Sequence, residues 1–144
     1  MNLSLILCPL DFSAVSTPLV AYAAALAAGT GAELHLLHVL EPQPSLTVPA
    51  TGPDAANRQL AFYRTQAEQA GARVSTGLLQ GEAAVEIVAE AQTRHADLIV
   101  IGTHGQTGLT RFLVGSTAEA VVRKAACATL LVKARPANEY RQSA

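Results

Sequence analysis

The stretch from Gly102 to Ser116 reads G-T-H-G-Q-T-G-L-T-R-F-L-V-G-S and follows the apolar run Leu98-Ile99-Val100-Ile101. Gly102 and Gly105 are separated by two residues, and nine more lead to Gly115-Ser116, which opens another apolar periodic segment. Glycine lets main-chain N–H groups come close to an anion's oxygens, and a helix N-terminus adds unpaired donors and a favourable dipole. The layout suits a phosphate cradle. It also suits a plain tight connection from strand to helix, and spacing alone does not choose between the two.

The other chemistry-bearing residues are scattered. Asp11 falls in Pro9-Leu10-Asp11-Phe12-Ser13, just beyond the first apolar run, where an open α/β sheet binds its ligands. His35 and His38 stand three apart in one apolar run; on a strand they face opposite ways and do not jointly ligate a metal. His38 therefore reads as a packed or hydrogen-bonded residue at the core edge. Cys8 and Cys127 lack C-x-x-C spacing and read as small buried hydrophobes.

Positioning these residues is the task of alternating strands and helices. Residues 3–8 are a short apolar run ending at Pro9, as expected of a strand buried on both faces. Ser16 and Thr17 are hydroxyl cap candidates with Pro18 in the first turn of an alanine-rich helix over 19–28, which Gly29 and Gly31 stop. Strand two is expected at 32–39, and residues 41–53, with four prolines, form a long loop. A helix over 54–70, a strand over 73–79 weakened by Gly77, and a helix over 83–94 follow. Strand four at 98–101 enters the glycine stretch, Ser116 stands near the cap of a helix over 116–124, and Thr129-Leu130-Leu131-Val132 closes the pattern. Such alternation with buried strands argues for a parallel, doubly wound sheet with right-handed crossovers.

Composition narrows the function classes. Of 144 residues half are hydrophobic and 15% charged, which fits one compact domain. A formal net charge of −1 with interspersed signs, few aromatics and no Trp argue against a nucleic-acid partner. The N-terminal apolar run lacks a basic region and meets Pro9 and Asp11, so it does not read as a signal peptide; no segment is long enough to span a bilayer. A cytoplasmic protein without membrane attachment is expected.

Taken together these residues resemble the universal stress protein family, in its ATP-binding branch. The signature G-x-x-G-x9-G-[ST] is met by Gly102, Gly105, Gly115 and Ser116, backed by Pro9-Leu10-Asp11-Phe12-Ser13, Leu37-His38-Val39 and Gly81-Glu82. The resemblance covers about residues 3–132. It implies a Rossmann-like, five-stranded parallel sheet of order 3-2-1-4-5 with a nucleotide between strands one and four. By the same resemblance Asp11 contacts the ribose and adenine end, the Val39 backbone meets the adenine edge and Pro9 lines the wall. Gly102, Gly105, Gly115, Ser116 and Thr117 hold the phosphates. With no Lys after the glycines, main-chain dipoles, hydroxyls and a divalent cation such as Mg²⁺ offset the triphosphate charge. The resemblance further implies a homodimer through the 129–132 edge strand, with an edge blunted by Lys133, Arg135 and Pro136 as the alternative; the chain itself reads as a single domain over 1–136 followed by a flexible polar tail over 137–144.

Two departures stand out. Gln106 occupies a place where many relatives are basic, and Ala126-Cys127-Ala128 replaces a proline-flanked cysteine. No residue of the motif is an obvious general base, so turnover is expected to be slow or absent. The leading expectation is thus an ATP-binding stress-response module. Its competitors are a slow ATPase or phosphoryl-transfer enzyme, which needs a base and cations at the phosphates, and a nucleotide-free interaction module. A phosphorelay receiver is set aside because Gln80 stands where the phosphorylatable aspartate belongs.

Overall fold

The computed structural model describes residues 2–42, 52–103 and 115–133. In chain order the elements are β1 (Leu5–Pro9), α1 (Ser16–Thr30), β2 (Glu33–Leu40), α2 (Pro53–Gln69), β3 (Arg73–Gln80), α3 (Ala83–Thr93), β4 (Leu98–Gly102), α4 (Ser116–Lys124) and β5 (Ala128–Val132). The strands form one parallel sheet of order β3-β2-β1-β4-β5. That is the expected fold.

The strands read as nearly continuous apolar runs because helices cover both faces. Ile6, Cys8, Leu34, Leu36 and Val100 point to the side of α1 and α2, where Val20, Ala24, Leu60 and Tyr63 meet them. Leu7, Leu37, Val39, Ile99 and Ile101 point the other way, toward Ile87 of α3 and Val121 of α4. Each fully buried leucine contributes roughly 1.5–3 kcal/mol of transfer free energy. The alanines of α1 (Ala23, Ala24 and Ala27) let that helix lie close to the sheet.

Local expectations were corrected in two places. Pro9 belongs to β1 rather than ending the run before it, pairing with Leu37. The Leu10 N–H donates to the Leu37 carbonyl, so the missing Pro9 N–H falls on the opposite side, facing β4. There the last registered pair is Leu7 with Ile99, so the ladder to β4 stops short of Pro9. Helix α1 is not capped by Ser16 or Thr17: Val15 occupies the cap position and offers no side-chain acceptor. The expected strand over 73–79 is present as β3, which runs through Gly77 and pairs with β2 from Arg73 to Gln80. The expected loop over 41–53 lies largely outside the described residues, as does the expected tail over 137–144.

Candidate functional site

Strand order reverses between β1 and β4, the position where open α/β sheets bind ligands. β1 pairs with β2 over five residues but with β4 over only two, so beyond Leu7 and Ile99 the strands carry no further paired positions. The carboxyl edge of the sheet at this point is the candidate site. Pro9 and Asp11 leave β1 at this edge, Val39 lies near the end of β2, and Gly102 ends β4 in register with Val132.

The return of the chain after β4 is held by main-chain bonds. Thr103, 3% exposed, donates its N–H to the Val132 carbonyl at 3.0 Å, and its own carbonyl accepts the Gly115 N–H at 2.5 Å. The chain therefore leaves at Thr103 and comes back to the same point at Gly115. Gly115 caps α4 in extended conformation with no side-chain acceptor, and Ser116 and Thr117 form the first turn. The N–H groups of a first helical turn lack intrahelical acceptors, and the helix dipole places partial positive charge at the end of β4. Gly105 lies outside the described residues, together with His104, Gln106 and Arg111.

At the end of β1 the turn into α1 is held by a hydrogen bond and by ring stacking. Asp11 Oδ1 accepts the Ser13 N–H at 2.9 Å, an Asx turn. Phe12 has φ 63°, a left-handed conformation that costs a residue with a side chain about 1–2 kcal/mol. Its ring stacks on His38 with centroids 4.0 Å apart and on Tyr63 at 6.2 Å. His38 Nδ1 lies 2.6 Å from the Leu10 carbonyl oxygen. A carbonyl only accepts, so this nitrogen carries the proton. The hydroxyls of Ser13 and Ser16 are buried without a hydrogen-bond partner among the described residues.

His35 faces the opposite side of the sheet from His38, as the strand period requires. Ser75 donates its one hydroxyl proton to Glu33 Oε2 at 2.8 Å, so its oxygen accepts from His35 Nδ1 at 2.7 Å. Nε2 is then the bare nitrogen, buried and 3.9 Å from Glu90 Oε2. Burial, with Arg94 second, holds the His35 pKa below the usual imidazole range. Arg94 Nε sits 2.6 Å from the same Glu90 oxygen.

Sequence reasoning missed three of these features. Phe12 is not a residue type that signals positive φ. Glu41, read as the start of a loop, accepts the Ala83 N–H at 3.0 Å and supports the start of α3, as a carboxylate at a helix N-terminus does. Of the two buried serine hydroxyls, Ser13 was read as part of the exit from strand one and Ser16 as a helix cap candidate. Burial pushes the Cys8 thiol well up, and burial with Asp97 pushes that of the partly buried Cys127 up.

With this geometry in place the likenesses to known proteins fall on the whole chain. A sequence model of the universal stress protein family matches residues 4–133, and the chain belongs to that family. Universal stress protein MJ0531 of Methanocaldococcus jannaschii is 36% identical over 143 residues, covering 93% of this chain and 84% of the relative. The solved structure of MJ0577 of the same organism superposes with TM-score 0.81 at 26% identity, covering 95% of this chain and 100% of that one. A universal stress protein from Archaeoglobus fulgidus, solved in complex with dAMP, gives TM-score 0.71 at 25% identity, covering 92% and 100%. Among the described residues no helix is long and apolar enough to cross a membrane.

Proposed function

We propose that this chain binds ATP in the crevice between β1 and β4 and acts as a nucleotide-dependent stress-response module with little or no turnover. The observation that carries the reading is the bond from Gly115 N–H to the Thr103 carbonyl, which brings the N-terminus of α4 to the end of β4 beside the parted strand β1. The dAMP held by the Archaeoglobus fulgidus relative supports an adenine nucleotide as the ligand class.

In this reading Asp11 meets the ribose, the Val39 main chain meets the adenine edge and Pro9 lines the wall. Gly102, Gly105, Gly115, Ser116 and Thr117 hold the phosphates through main-chain donors and hydroxyls. Mg²⁺ bound through phosphate oxygens and water offsets the remaining charge. Residues 1–136 form the binding domain and 137–144 a tail. The half-exposed strand β5 pairs with β4 along one edge, and its other edge joins a second copy in a homodimer. The cytoplasm suits the two free thiols.

Titration of Mg-ATP into the purified chain tests the assignment. Saturable binding that weakens more than tenfold on Gly115→Val supports it. A chain that stays folded and gives no Mg-ATP signal refutes it.

A further inference from the structure

The polypeptide around Asp11 is gripped on both sides by one side chain from the neighbouring strand. His38 lies on β2 opposite Leu78 of β3 and directly precedes Val39. Its Nδ1–H bonds the Leu10 carbonyl at 2.6 Å, and that carbonyl belongs to the peptide linking Leu10 to Asp11. The bond therefore fixes the plane from which Asp11 starts. On the far side, the His38 ring lies 4.0 Å from the Phe12 ring with the planes 21° apart. Phe12 follows Asp11 at φ 63°, a conformation that an aromatic residue adopts only when its surroundings impose it. Tyr63 of α2, 7% exposed, backs the Phe12 ring nearly parallel to it.

We infer that His38 is a positioning residue for Asp11, holding the β1–α1 turn in the shape that presents the carboxylate to the nucleotide's ribose. The inference rests on the nucleotide reading above. His38 does not touch the ligand in this scheme; it acts through the peptides on either side of Asp11. Because Val39 is the next residue of β2, the adenine wall and the ribose carboxylate move as one unit, and the site keeps its ribose geometry before ligand arrives.

A double-mutant cycle read by Mg-ATP titration separates positioning from general structural support. His38→Phe keeps the ring but loses the donor. His38→Asn places an amide N–H about where imidazole Nδ1 stands and keeps the bond to Leu10. The inference expects His38→Phe to weaken Mg-ATP about tenfold when Asp11 is present and less than about twofold in the Asp11→Ala background. His38→Asn is expected to retain binding within about threefold of wild type. Equal losses from His38→Phe in both backgrounds, or none in either, overturn the inference. Should His38→Phe fail to fold, His38→Asn decides, and binding as weak as that of Asp11→Ala overturns it. A wild-type chain that binds no Mg-ATP instead overturns the nucleotide reading on which the inference stands.

Discussion

Gly77→Ala is the most informative single change to the fold, because the sign of its effect separates two accounts of the same glycine. If Gly77 is only a weak point in β3, a methyl group there raises strand propensity and stabilises by about 0.5–1 kcal/mol. A Cβ built on Gly77, however, lies 2.8 Å from His35 Nε2 and 3.2 Å from Cε1. The ring has no room to withdraw: it is 0% exposed and tied to Ser75 at 2.7 Å. Overpacking of this kind costs about 1–3 kcal/mol, and breaking the Ser75 bond adds about 1 kcal/mol. Set against the propensity gain, the net loss is about 1–3 kcal/mol, or roughly 2–12 °C in Tm at about 2–4 °C per kcal/mol. Thermal unfolding followed by circular dichroism reads it. In a His35→Ala background, where the ring is gone, the same substitution is expected to be neutral or stabilising. A Tm for Gly77→Ala equal to or above wild type refutes the steric account.

Two further outcomes follow from the charges. Burial holds the His35 pKa below its unfolded value, with Glu33, Glu90 and Arg94 the charged groups facing it, so the unfolded chain binds the extra proton and stability falls as pH drops through about 6.5. Urea midpoints measured from pH 8 to 5 are expected to decline in wild type and to flatten over that window in His35→Asn; parallel curves contradict the assignment. Asp97 accepts the N–H groups of Ser4 and Leu5 at 2.8 and 3.0 Å, which holds its carboxyl below the usual range. Its contribution is present above the unfolded carboxylate pKa and is lost as pH falls through the lower folded value, so Asp97→Ala should lower the midpoint at pH 7 and less so at pH 3.

The architecture was legible because both faces of the sheet are covered. Leu34, Leu36, Leu37 and Ile99 through Ile101 give apolar runs that admit little but a buried parallel strand, and glycines at Gly31 and Gly71 mark the helix exits. What the sequence hid were effects set by neighbours distant in the chain. Pro9 looks like a terminator until the side facing its missing N–H is known, and Gly77 looks like a flaw until His35 is placed beside it. The positions of Asp11, Val39, Gly102, Gly115, Ser116 and Thr117 at one sheet edge follow from the motif and the strand order. The turn geometry around Asp11 does not, since positive φ at Phe12 and the partners of His38 arise only from tertiary packing.

The central claim, that the crevice between β1 and β4 holds an adenine nucleotide, is tested most directly by what the purified protein carries. Protein purified with no nucleotide added, then denatured and cleared, is expected to release ATP or its adenine breakdown products, approaching one per chain after incubation with Mg-ATP and removal of the excess. Folded protein that releases none, both as isolated and after that incubation, contradicts the claim.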